Sequence, residues 1–117
     1  MALDSFTVVF LLDGPGGASQ TDAERAATQD AHLAHLADLH DDGVLIAAGP
    51  LPDAEWGTRG IAVLTCDAER AEALLADDPA VQAGWFVVKT VPWLAPRGAV
   101  AHTDAPFPRS SAEAAAE

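Results

Sequence analysis

The sequence has few of the features that would link the chain to nucleic acid, to an anionic membrane or to an oxidising compartment. It has 6 basic residues against 18 acidic ones, a formal net charge of −12. Phosphate backbones and anionic lipids are bound by clustered Lys and Arg, which this sequence does not contain, so we expect neither partner. The single cysteine, Cys66, cannot form an intramolecular disulfide, which favours a reducing, cytoplasmic location.

Long apolar runs are also lacking. A membrane helix needs about 20 apolar residues, whereas the run Phe6–Leu12 is short, ends at Asp13 and is not preceded by basic residues. We therefore expect neither a membrane helix nor a signal peptide. Half of the 117 residues are nevertheless apolar, which is enough for one domain with a single modest core.

The apolar runs and the turn residues between them predict a βαββαβ order. Strands are predicted at residues 6–12, 44–48, 61–66 and 85–91, the last ended by Pro92. One helix is predicted from the capping box Thr21–Glu24 to about Asp41, before Gly43. A second helix follows over residues 67–76, and Asp78-Pro79 begins a short helical turn. This order indicates a ferredoxin-like α+β fold, with a four-stranded antiparallel sheet and both helices on one face.

The predicted strands are apolar on both faces. In the second strand Val44, Ile46 and Ala48 alternate with further apolar residues. Because two helices cover only one face, the other face would be an exposed apolar patch, which soluble monomers rarely tolerate. We therefore expect a homodimer that joins the open faces of two sheets, a dimeric α+β barrel.

Composition changes near residue 96, where Pro, Ala, Ser and Glu begin to dominate. We predict one α+β domain over residues 1–95, followed by a flexible Pro/Ala-rich tail over residues 96–117. The alternative for the tail is an arm that contacts a partner.

The sharpest chemical feature is a histidine within an apolar helical stripe. At about 100° per residue, His32 projects between Leu36 and Leu39. A partly desolvated imidazole in that position is either a core residue with satisfied hydrogen bonds or a general base.

Several motifs resemble the YCII-related family of small bacterial proteins. They are H-L-A-x-L at 32–36, L-H-D-D-G at 39–43, G-P at 49–50, A-D-D-P-x4-G at 76–84 and V-P-W at 91–93. The resemblance covers roughly residues 5 to 95 and implies a dimeric ferredoxin-like α+β barrel. It also implies a His–Asp pair in a cleft by the dimer interface, which falls on His32 and Asp78. One family member is described as a dehydrochlorinase, and the fold is shared with muconolactone isomerases.

The implied pair is chemically sensible, because a carboxylate fixes the tautomer of an imidazole and raises its basicity. Each residue also has a purely structural alternative. His32 could hydrogen-bond a backbone carbonyl in the core, and Asp78 could serve only as the N-cap of the turn that begins at Pro79.

Other candidate residues are less specific. His32 and His35 form an H-x-x-H pattern without supporting ligands, so we expect no metal and no cofactor. The loop 14–17 lacks a phosphate-binding pattern, so it is a turn that could also act as a lid. Arg59 either binds a substrate carboxylate or forms a surface salt bridge.

Together these features favour a small cofactor-free enzyme with lyase, isomerase or dehydrochlorinase-type acid/base chemistry. Its substrate would be a small cyclic or aromatic-derived compound, with His32 as general acid/base and Asp78 orienting it. The alternative function is a non-catalytic homodimer that binds or senses a metabolite.

Overall fold

A computed structural model describes residues 1–52 and 55–116. The elements in chain order are β1 (Leu3–Asp13), a 3-10 turn (Gly17–Ser19), α1 (Asp22–Asp41), β2 (Leu45–Pro50), β3 (Thr58–Leu64), α2 (Ala68–Ala76), α3 (Pro79–Gln82), β4 (Phe86–Pro96) and α4 (Ser111–Ala115). The four strands form one antiparallel sheet in the order β2-β3-β1-β4. The predicted ferredoxin-like α+β fold is therefore confirmed.

Local capping signals define the ends of α1. The Thr21 hydroxyl accepts a hydrogen bond from the Glu24 backbone N–H at 3.1 Å, and the Glu24 carboxylate accepts one from the Thr21 N–H at 2.9 Å. This reciprocal pair satisfies two backbone donors that have no partner within the helix. Beyond the other end, Gly43 has a φ of 78°, a left-handed conformation that glycine adopts without a Cβ clash.

The prediction that the fourth strand ends at Pro92 is wrong, since β4 continues to Pro96. The sheet order explains this difference, because β4 is an edge strand. Proline lacks a backbone N–H and is excluded from central ladders, but an edge strand has one side on which no donor is required. Thr7 of β1 pairs with Pro92 in the continuous register of the two strands.

The helices bury one face of the sheet. Leu36 and Leu39 of α1 are buried, as are Ala71 and Leu75 of α2, and Leu74 is half-buried. They pack against the strand residues Val9, Leu11, Leu45, Ala62 and Leu64. The core thus lies between the sheet and the two longer helices, and His32 projects from the same helix that supplies two of its leucines.

The opposite face of the sheet, here called the open face, is strongly apolar. Strand alternation and register place on it Phe6, Val8, Phe10, Leu12, Ile61, Val63, Val87, Val91 and Trp93. The rings of Phe6 and Trp93 pack with centroids 5.9 Å apart, and Trp93 remains 39% exposed. This is the exposed apolar patch on which the homodimer prediction depends.

Residues 97–116, here called the C-terminal segment, follow β4 and lie against α1. They include α4, which packs on α1. The flexibility expected for residues 96–117 stays a prediction. The contacts of the C-terminal segment with α1 have no signal in the sequence pattern. Residue 117 lies outside the described residues. None of the described helices is long and apolar enough to cross a membrane.

Candidate active site

The structure brings His32 and Asp78 together across 46 residues of sequence. Nδ1 of His32 lies 2.9 Å from Oδ1 and 2.8 Å from Oδ2 of Asp78. Asp78 is fully buried and His32 is 8% exposed. Water therefore does not compete for this hydrogen bond, and the carboxylate fixes the orientation of the imidazole.

Asp78 also has the structural role that its sequence context suggested. It is the N-cap of α3, where its Oδ1 accepts a hydrogen bond from the Ala80 backbone N–H at 2.8 Å, and Pro79 occupies the first helical position. The N-cap role and the contact with His32 are thus present together. The helix start holds the carboxylate in the position from which it reaches the imidazole.

The pairing leaves one imidazole nitrogen available. Carboxylate oxygens accept hydrogen bonds, so the imidazole donates its Nδ1–H to Asp78, and in a neutral ring of this tautomer the lone pair is on Nε2. Across the described part of the chain, every fully buried side-chain nitrogen or oxygen has a hydrogen-bond partner. Nε2 of His32 has no such partner, so it does not belong to the fully buried atoms. His32 is also one of the residues that line a cavity.

That cavity has a volume of about 620 Å³, within the usual size range of small-molecule sites. Its polar lining residues are few and include Gln29, His32, Arg59 and Ser111. The remaining wall is mostly apolar and includes Leu11, Leu33, Leu36, Leu75, Phe86 and Phe107. The cavity therefore suits a compact, largely apolar molecule whose polar groups meet a few fixed partners.

Arg59 combines the two alternatives raised by the sequence. Its guanidinium donates two hydrogen bonds to the Asp13 carboxylate, one of them 3.0 Å long, and both side chains are exposed. The hydrogen bond from Arg59 holds the pKa of Asp13 below its usual value, and Asp13 raises the pKa of Arg59. Arg59 is thus in a surface ion pair and also lines the cavity, where its charge can meet an acidic ligand.

The other histidines are occupied elsewhere. Nε2 of His35 donates to the Leu74 carbonyl at 3.0 Å, which ties α1 to α2. Nε2 of His40 donates to the Thr103 carbonyl at 2.9 Å. Within residues 1–52 and 55–116, no group of three or more His, Cys, Asp and Glu side chains could hold a metal ion.

The glycine loop after β1 is attached to the turn before β4. Gly14 N–H donates to the Trp85 carbonyl and Gly16 N–H to the Gly84 carbonyl, each at 2.8 Å. A Cβ on Gly14 would lie 2.3 Å from the Gly84 oxygen, so close backbone packing requires glycine there. These contacts favour the interpretation of the loop 14–17 as a fixed turn over its interpretation as a lid.

Sequence reasoning missed most of the cavity wall. The sequence pattern predicts Phe86 only as a strand residue and Phe107 only as part of the tail, yet both line the cavity. Their positions depend on how β4 and the C-terminal segment pack around α1, for which no local sequence signal exists.

Comparisons with known proteins agree with this fold. The sequence model of the YCII-related domain matches residues 6–94. The proteins called YciI from Escherichia coli O6:H1 strain CFT073 and Shigella flexneri are each 38% identical over 71 residues, covering 54% of this chain and 72% of the relative.

A solved structure shares the fold. It is the 5-chloro-2-hydroxyhydroquinone dehydrochlorinase of Burkholderia phenoliruptrix AC1100 in complex with 2,5-dihydroxybenzoquinone, with a TM-score of 0.54 and 22% identity over 80% of this chain and 95% of that chain. Since the family match spans most of the sequence and carries the motifs around His32 and Asp78, this chain belongs to the YCII-related family.

Proposed function

We propose that this protein is a cofactor-free enzyme that performs general acid/base chemistry on a small cyclic or aromatic-derived compound. The observation that supports this most strongly is His32 itself, which lines a largely apolar cavity and, within the described residues, has no partner for Nε2 while its Nδ1–H is held by buried Asp78. A buried carboxylate partner and a place in the cavity wall distinguish His32 from His35 and His40, which bond backbone carbonyls.

The arrangement suits a proton transfer. Nε2 of His32 takes a proton from a substrate C–H or O–H group, and the Asp78 carboxylate stabilises the imidazolium that forms. In an isomerisation the same proton returns to another atom of the substrate. In an elimination the electron pair of the bond to the abstracted proton forms a new double bond. A leaving group such as chloride departs with the electron pair of its own bond to carbon. The proton later passes from His32 to water.

The cavity supports a ring-shaped substrate of modest size. Its walls are largely apolar, its volume is about 620 Å³, and Arg59 provides a positive charge for a carboxylate or an acidic phenol. The related fold of a dehydrochlorinase bound to 2,5-dihydroxybenzoquinone supports the same substrate class. A lyase, isomerase or dehydrochlorinase-type reaction at this site would use the proton transfer described above.

We also propose that two copies pair through their open faces to form a homodimer. Val91 is 36% exposed and Val87 47% exposed on that face, and a second copy would remove both from water. In analytical ultracentrifugation the protein should sediment as a dimer. Val91→Asp should shift it towards a monomer, while Glu72→Gln on the exposed surface of α2 should not. A wild-type monomer at micromolar concentration would overturn the proposal.

Turnover by His32→Ala tests the proposed function. We would screen chlorinated hydroquinones and unsaturated lactones, following chloride release and ultraviolet absorbance. Because a general acid/base contributes about 10²–10⁴-fold to a rate, His32→Ala should lose at least the lower of these factors. His35→Ala is the matched control, because it removes another imidazole from the same helix that also makes one hydrogen bond.

Two outcomes would contradict the catalytic proposal. One is that His32→Ala and His35→Ala retain equal turnover, since Nε2 of His32 would then have no part in the reaction. The other is that the wild-type protein binds members of the panel, seen as a rise in melting temperature, and converts none of them. The second outcome would support the alternative, a homodimer that binds or senses a metabolite.

A further inference from the structure

The C-terminal segment is attached to α1 by a stack of rings. The His40 ring is parallel to that of Phe107, with centroids 4.0 Å apart and an interplanar angle of 12°. The His102 ring stacks on His40 at 4.4 Å. Two rings at these distances must occupy opposite faces of the imidazole, so His40 is held between two side chains of the segment.

Hydrogen bonds run in both directions at the same place. Nε2 of His40 donates to the Thr103 carbonyl at 2.9 Å, and Nε2 of His102 donates to the His40 carbonyl at 2.7 Å. The side chain of His40 is 5% exposed. His102 and Thr103 are exposed, so the buried His40 side chain is the fixed point from which both hydrogen bonds orient the backbone before Phe107.

A second set of contacts lies beyond Phe107. The Arg109 guanidinium pairs with Asp38 at 2.8 Å and also with Asp41, and the Ser111 N–H donates to Asp30 at 2.8 Å. The Arg109 pairs are exposed, so water and salt screen them. Their contribution is directional, because they align the start of α4 along α1.

The two sets of contacts place one stretch of the segment over the cavity that contains His32. Phe107, Pro108, Ser111, Ala114 and Ala115 all line that cavity. Phe107 also packs against the hydrophobic core. The segment lies outside residues 6–94, the part of the chain matched by the family. The chain thus adds a wall of its own to the cavity.

We propose that the C-terminal segment sets the size of the molecule that the cavity admits, with Phe107 as the specificity-determining residue. The phenyl ring is held by His40 on one side and meets the core on another, so it cannot swing aside without breaking the stack. Removing the phenyl ring would widen the cavity beside the C-terminal segment, so larger ligands would gain the space that Phe107 fills. The identity of the ligand as a ring compound rests on the proposed function.

A thiol placed in the cavity measures this size limit without any turnover. In the full chain with Cys66→Ser, Ala48→Cys puts a thiol on β2 among the cavity-lining residues. Its alkylation would be followed with iodoacetamide and with the much larger 5-iodoacetamidofluorescein, each rate being divided by the rate for free glutathione. The ratio of the two normalised rates reports the size of the opening.

The Ala48→Cys protein should react with the small reagent and strongly disfavour the large one. Phe107→Ala should raise the rate with the large reagent about tenfold and change the rate with iodoacetamide much less. Arg97→Ala, at an exposed position near the start of the same segment, is the control and should change neither rate. Phe107→Leu should give an intermediate ratio, and circular dichroism would establish that each variant is folded.

An unchanged ratio of the two rates in folded Phe107→Ala would overturn the inference. Equal normalised rates for both reagents in the Ala48→Cys protein that retains Phe107 would overturn it as well. The alkylation does not require His32 to act as a base. Absence of a size limit in the protein that retains Phe107, together with His32-dependent turnover, would therefore overturn this inference alone. A size limit that persists in a protein without turnover would instead contradict the proposed catalytic function alone.

Discussion

Replacing Asp78 with alanine tests whether its carboxylate carries two structural tasks. In the folded protein it accepts the Ala80 N–H as the N-cap of α3 and the Nδ1–H of His32, while it is fully buried. Asp67 is the matched control, because its exposed carboxylate performs only the first task, as the N-cap of α2. The two variants remove the same chemical group from two helix starts.

The magnitudes follow from these contacts. Loss of an N-cap costs about 1 kcal/mol of unfolding free energy, which is the effect expected for Asp67→Ala. Asp78→Ala also leaves the Nδ1–H of His32 without its acceptor in a buried site, which adds about 1–3 kcal/mol. The total for Asp78→Ala is therefore about 2–4 kcal/mol, clearly more than for the control.

Urea denaturation followed by circular dichroism measures this difference. With a slope of about 2 kcal/mol per molar urea, the midpoint for Asp78→Ala should fall by about 1–2 M and that for Asp67→Ala by about 0.5 M. Protein concentration must be held constant, because dimerisation contributes to stability. Equal shifts for the two variants would refute the reasoning, since the contact with His32 would then contribute nothing to stability.

Two further predictions concern a packed loop and the single thiol. Gly14→Ala should cost about 1–3 kcal/mol, because its Cβ would lie 2.3 Å from a backbone oxygen; Gly49→Ala, which meets nothing within 4 Å, should be nearly neutral. Equal thermal stability of the two variants would contradict this account. Burial raises the pKa of the Cys66 thiol, so less of it is ionised than of free glutathione at neutral pH. Its reaction with iodoacetamide should therefore be slower than that of glutathione and accelerate into more alkaline solution, because the thiolate is the nucleophile; matching pH–rate profiles would count against the effect of burial.

The fold could be predicted from local signals because each of them acts over a few residues. The capping box at Thr21, the left-handed glycine at Gly43 and the proline at Pro79 are used as the sequence suggested. The end of β4 was missed for the opposite reason. Whether a strand can continue through Pro92 depends on its place at the edge of the sheet, which is a property of the whole topology.

The candidate site could be predicted only in part. A histidine in the apolar stripe of α1 is visible in the periodicity, and its partner was suggested by the family resemblance rather than by spacing. Nothing in the spacing between residues 32 and 78 specifies a hydrogen bond. The distance of 2.8 Å between Nδ1 of His32 and Oδ2 of Asp78 results from the packing of α3 against α1.

The sequence by itself determined the βαββαβ order of the domain, the ends of its helices and the unusual position of His32, because these follow from periodicity and capping within short windows. Only the tertiary structure decided that His32 lines a cavity, that Asp78 contacts His32 while it caps α3, and that Phe107 forms part of the cavity wall. These features depend on contacts between residues far apart in the chain. Such contacts arise when apolar surfaces pack, and no local pattern encodes them.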